Sequence, residues 1–134
     1  MTLLYPALLL MLHTLLVGAY MGYRRYTAVT QREVSANFYR AYVGDEPEHL
    51  RVISRHMVNL LEAPVLFYVL TLIAVFAQLT SPALLILAWS YVILRFIHSA
   101  IHLGPNIVIW RFRVFVLSFV VLAVYLVMIG TRLL

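Results

Sequence analysis

Residues 65–103 read VLFYVLTLIAVFAQLTSPALLILAWSYVILRFIHSAIHL. Two apolar runs meet at Leu79-Thr80-Ser81-Pro82, a connection so short that the flanking segments must turn back on each other. Ser81 as an N-cap with Pro82 at the first helical position is a helix-start signature. With the residues before Val65 counted in, each run has at least the roughly 20 residues a helix needs to cross a bilayer. The stretch therefore predicts an antiparallel hairpin of spans two and three, over about 49–78 and 82–103, with the second stopping at Gly104-Pro105. Pro64 lies inside span two and is expected to kink it. Outward from the hairpin, a first span is expected over about 5–23 and a fourth over 113–130. Tyr26 to Glu48 form the one long polar connection, with a turn signal at Gly44-Asp45-Glu46-Pro47 and helix resuming at Pro47 or Glu48. The expectation is an all-α membrane protein, a four-transmembrane-helix bundle forming a single domain over 1–134.

Composition agrees. Of 134 residues, 64% are hydrophobic and 11% charged, more apolar surface than a soluble domain of this length has interior to hide. The first apolar segment, Leu3 to Met21, lacks a basic n-region and a convincing small-residue cleavage site, so it reads as a retained helix. There is no cysteine, which excludes a disulfide framework and a thiol nucleophile borne by the chain; thiol chemistry would need a thiol brought by a ligand. The net charge of +5 does not point to nucleic acid, because the basic residues, all arginine, fall mostly beside helix ends, where lipid headgroups hold them. Arg24, Arg25, Arg32, Arg40, Arg51 and Arg55 crowd the first connection, Arg111 and Arg113 border the third, and the second has none. Loops one and three are thus expected to be cytoplasmic.

Ionisable residues within spans are costly and turn toward protein, water or ligand. On span two, Arg55, Asn59 and Glu62 are spaced i, i+4, i+7 and share one helix face. On span three, Arg95, His98, His102 and Asn106 are spaced i, i+3, i+7, i+11. Because the hairpin is antiparallel, both stripes lie at the same membrane surface, and Glu62 is expected to face Arg95 and stay ionised there. A plain structural clamp between Glu62 and Arg95 is the competing reading. His98-x3-His102 has metal-ligand spacing with Glu62 as a conceivable third ligand, but the pattern is loose, and no metal is assigned. His13, on span one, reads as packed against a carbonyl or at the interface.

Arg55-His56-Met57-Val58-Asn59-Leu60-Leu61-Glu62-Ala63-Pro64 and Arg95-Phe96-Ile97-His98-Ser99-Ala100-Ile101-His102-Leu103-Gly104 resemble the two signature segments of the MAPEG family, small four-helix membrane proteins of eicosanoid and glutathione metabolism. The likeness is to a bacterial-type member similar to microsomal glutathione transferases, in the bacterial inner membrane. It implies a homotrimer with glutathione between neighbouring subunits at the cytoplasmic side. Arg55, Asn59 and Glu62 match glutathione-contacting positions, Glu62 taking the α-amino end. Arg95 and His98 match polar positions of the third helix, His102 stands where many members have a ligand-binding tyrosine, and Arg111 falls where several have an arginine near the thiol. Arg24 or Arg25 matches a first-helix arginine that meets a carboxylate. The chain departs from the pattern at Phe115, where family enzymes often have tyrosine, and at Phe112, where they have serine. Histidine at 102 can replace a donor; the phenylalanines cannot.

Two functions compete. One is a glutathione-dependent enzyme, transferase-like or peroxidase-like, that activates the thiolate against a lipophilic electrophile or a lipid hydroperoxide. The other is a non-catalytic membrane protein binding a lipid or another anionic ligand in the same intersubunit cleft. An ion or proton pathway ranks last, because a polar stripe near one surface does not cross the membrane.

Overall fold

The computed structural model describes residues 3–134, so the first two residues of the expected domain lie outside it. The described chain is helical: α1 (Leu4–Thr30), a one-turn α2 (Phe38–Ala41), α3 (Glu48–Phe76), α4 (Pro82–Leu103) and α5 (Val108–Leu133). Four of these, with 27, 29, 22 and 26 residues, are long and apolar enough to cross a membrane. At 1.5 Å per residue, the shortest reaches about 33 Å, just over a hydrocarbon core of about 30 Å.

The hairpin is as the sequence predicts. Ser81 caps α4, its hydroxyl accepting from the Leu84 N–H at 3.2 Å, and Pro82 follows as the first helical residue. On the other side α3 closes with Gln78 in the left-handed region at φ 55°, its N–H reaching the Val75 carbonyl while that of Leu79 reaches Ala74. This closure satisfies the last carbonyls of the helix. Pro64 is buried within α3, which continues through it.

Two helices outrun their expected limits. α1 continues to Thr30 and α5 begins at Val108, so Arg24, Arg25 and Arg111 lie on helix beyond the expected span limits. Apolar length sets where a span leaves the lipid, not where the helix stops. The 24–30 and 108–112 segments contain neither glycine nor proline, so hydrogen bonding simply carries on.

The buried residues form heptad seams. On α3 they include Ile53, His56, Leu60, Ala63, Phe67, Leu70 and Ala74. On α4 they include Leu84, Ala88, Tyr91, Arg95, His98 and His102. Alternating steps of three and four residues are the narrow stripe of closely packed helices. The most extensive pairings are α4 with α5 and α1 with α3. Leu10, Phe67, Leu84, Ala88, Tyr91, Leu122 and Tyr125 build the apolar core, within which the Thr71 and Tyr125 hydroxyls meet at 3.3 Å. The outward faces bear Leu12, Leu15, Leu66, Leu117 and Val120, a coat that a bilayer covers without penalty and water does not.

At the end where α1 and α4 finish and α3 and α5 start, the first loop folds back on the bundle. Arg25 donates to the Ser54 hydroxyl at 2.9 Å and to the Tyr42 hydroxyl at 3.4 Å, sits 3.8 Å from the Glu46 carboxylate, and stacks over the Tyr39 ring at 5.1 Å. Burial, and then the Glu46 carboxylate, push the Tyr39 phenol above its ordinary range, so it stays neutral. The Gly44 turn that brings Glu46 into this cluster needs a φ of +107°, which glycine adopts freely.

Candidate functional site

The third-helix stripe lies inside the bundle. Arg95 is fully buried, and His98 and His102 are 2% and 5% exposed, because all three continue the seam of Leu84, Ala88 and Tyr91 at steps of three and four. The second-helix stripe does not share that fate. Arg55 and Glu62 are exposed and Asn59 is half-buried, since the α3 seam runs through His56, Leu60 and Ala63, next to the stripe on the helix surface.

The expected pairing of Glu62 with Arg95 is therefore overturned within the chain. Among the described residues the ion pairs are Arg25 with Glu46 and His49 with Glu33, and Arg95 is in neither. Its Nη2 instead donates to the Asn59 side-chain oxygen and, at 3.4 Å, to the Asn59 carbonyl. Its Nε and Nη1 are buried without a hydrogen-bond partner, and its guanidinium lies 5.9 Å from the centre of the Phe115 ring. A buried cation held by neutral dipoles keeps its outward field, whereas a salt bridge would cancel most of it.

Asn106 departs from the stripe as well. α4 ends at Leu103, and Asn106 stands beyond it in the left-handed region at φ 49°. It works across the turn, accepting from Arg111 Nη1 at 2.7 Å and so fixing that side chain. Gly104 makes the turn possible: a Cβ there would lie 2.7 Å from the Ala100 carbonyl oxygen.

One residue of this end had no assigned role in the sequence reading. His56 is fully buried, and its Nδ1 lies 3.2 Å from Nδ1 of His102. Its signal is the heptad register it shares with Leu60, Ala63 and Phe67. His13 is also less isolated than its position suggested. Its Nε2 meets the Ser99 hydroxyl at 2.8 Å, Ser99 in turn donates to the Arg95 carbonyl at 3.0 Å, and the ring packs on Phe96.

An open cavity of about 300 Å³ gathers Arg55, Asn59, His98, His102 and Arg111 between α3, α4 and α5, with Phe112 and Phe115 on its wall. Glu62 lies outside it. Arg55 stands on a ridge, for it also lines a second cavity of about 560 Å³ with Arg25, Arg51 and Ser54. Arg24 faces neither, its guanidinium held by the Tyr20 hydroxyl at 2.8 Å. Farther along the same two helices, α3 and α5 enclose a wholly apolar cleft of about 230 Å³ at Leu66, Leu70, Phe119 and Leu122. The 300 Å³ cavity offers two arginine charges, that of Arg111 held in place by Asn106, with amide and imidazole partners and an aromatic wall, a donor set suited to a small peptide-like anion.

Comparison with curated proteins and with solved structures finds no match to this chain. Comparison with protein families finds one: residues 3–131 match the MAPEG family. With four helices able to span a bilayer and this match over nearly its whole length, the chain is an integral, multi-pass membrane protein and belongs to the MAPEG family.

Proposed function

We propose that this protein is a glutathione-dependent membrane enzyme that activates the glutathione thiol for conjugation to lipophilic electrophiles or for reduction of lipid hydroperoxides. The observation that carries the reading is the convergence of Arg55, Asn59, His98, His102 and Arg111 on one open cavity, beside the unpaired guanidinium donors of Arg95. The donor set fits glutathione, which has two carboxylates and peptide amides to hold and supplies the thiol that the chain lacks. Arg55 and Arg111 hold carboxylate or thiolate charge; Asn59 and His102 serve the amides. Arg111, steadied by Asn106, favours the ionised sulfur through its fixed positive charge, and the cavity sets the sulfur against its target. The apolar cleft between α3 and α5 suits the lipophilic second substrate arriving from the bilayer.

Glu62 is exposed and lies outside the cavity, with Arg55 at its rim, so a homotrimer in which a neighbouring subunit closes the cavity gives Glu62 a role, receiving the peptide's ammonium group. The arginine distribution supports a cytoplasmic location for this end; the membrane we propose is a bacterial inner membrane. A non-catalytic protein binding a lipid or other anion in the same cleft is the second reading, favoured by Phe112 and Phe115, which place no hydroxyl on the wall.

Ultraviolet difference absorption of the detergent-purified protein titrated with glutathione tests the proposal. A thiolate band should grow to saturation and vanish in Arg111→Ala. Saturable binding without a thiolate band would transfer the case to the non-catalytic reading.

A further inference from the structure

His56 from α3 and His98 and His102 from α4 form a compact triad inside a single chain. One ring nitrogen from each lies within 4.8 Å of the other two, and all three residues are buried. Their ring centres are 4.9, 5.5 and 5.7 Å apart. For imidazoles bound tetrahedrally at 2.0–2.1 Å, simple trigonometry puts ring centres about 5.2 Å apart and ligand nitrogens about 3.3 Å apart. The observed ring spacing brackets the first value, and the 3.2 Å between the Nδ1 atoms of His56 and His102 is close to the second.

Hydrogen bonding leaves the triad unfinished. Three neutral imidazoles carry three donors and three lone pairs, and the chain offers them one contact, that between His56 and His102. His56 Nε2, His98 Nδ1 and His102 Nε2 are buried without a partner among the described residues. A buried polar atom left unpaired costs about 1–3 kcal/mol; a metal on the Nδ1 atoms of His56 and His102 leaves their Nε2 groups unpaired, so the ring geometry and the unpartnered His98 Nδ1 carry the site. His98 and His102 also face the cavity, which leaves an approach to a fourth position.

We propose that His56, His98 and His102 bind a divalent transition metal ion of the zinc class, with its fourth position open to the cavity. Imidazole donors suit zinc, cobalt, nickel and copper rather than magnesium or calcium. Arg95 and Arg111 stand close by and oppose a bare dication, so the fourth ligand is an anion, hydroxide, chloride or a thiolate, which lowers the charge of the site. Among the described residues no carboxylate orients the imidazoles from behind, and loss of such support weakens metal sites by roughly 10–100-fold; the affinity is accordingly moderate. The site shares His98 and His102 with the proposed glutathione cavity, but it is argued from the triad and its test needs no glutathione.

The test uses tag-free protein in detergent, stripped with chelator and titrated with Co²⁺ in chloride buffer without glutathione. Intense visible d–d absorption of tetrahedral cobalt should saturate at one ion per chain and be displaced by Zn²⁺. His56→Asn, which keeps a hydrogen-bonding side chain and a helical circular dichroism spectrum, should weaken binding at least 30-fold, as should His98→Asn; His13→Asn should leave it unchanged. Weak octahedral absorption only, or tetrahedral absorption that persists in well-folded His56→Asn, would overturn the site.

Discussion

Helices α3 and α4 meet along one seam and treat its polar end in opposite ways. α4 carries its charge into the seam, with Arg95 fully buried and His98 and His102 nearly so. α3 keeps Arg55 and Glu62 on the outside and sends inward only His56 and the amide of Asn59. The buried cation is therefore held by a dipole, and the one nearby carboxylate of α3 is aimed elsewhere. An amide fixes the guanidinium in place without neutralising it. The seam ends in an anchored positive charge, two of whose donors have no hydrogen-bond partner among the described residues.

Four substitutions probe that asymmetry. The largest effect is expected from Arg95→Met, which removes the cation while keeping its bulk: glutathione affinity should fall at least 100-fold by calorimetry, about 2.7 kcal/mol. Its stability in detergent should meanwhile rise by about 1–3 kcal/mol, because no unpaired charge remains in the seam. A matching loss of stability would mean the arginine holds the helices together after all. Phe67→Ala strikes the apolar part of the same seam. Lipid or detergent solvates the separated helices, so mainly the packing and cavity contributions are lost, and the free energy of unfolding should fall by about 2 kcal/mol with ligand affinity unaltered. Asn59→Asp converts the dipole into a counter-ion; glutathione binding should weaken about tenfold, and an unchanged affinity would separate the ligand from the field of Arg95. Glu62→Gln is the mildest. Exposed and without an ion pair among the described residues, it should shift stability by less than about 0.5 kcal/mol, while a drop in glutathione affinity would tie it to the ligand.

The asymmetry also marks what was legible in the sequence. The hairpin was readable because Ser81 and Pro82 act locally, through one cap and one fixed dihedral angle. The α4 stripe was readable because its polar residues share the phase of Leu84, Ala88 and Tyr91. On α3 the spacing of Arg55, Asn59 and Glu62 established a common face but not which way it turned. The seam was decided instead by Leu60, Ala63 and Phe67, whose phase admits His56 and leaves Glu62 outside. The link from Asn106 to Arg111 was beyond reach because it depends on a non-helical turn, and helical counting had placed Asn106 one turn too far along α4.

That turn has a further consequence. Gly104 passes so near the Ala100 carbonyl that there is room for a hydrogen but not for a methyl group, and two residues later Asn106 grips Arg111. The reach of the arginine into the cavity is thus calibrated by the absence of a side chain elsewhere, as a short lever is set by its pivot. Remodelling this pocket for a different ligand has more freedom on the α5 wall, at Phe112 and Phe115, than at the corner that aims its charge.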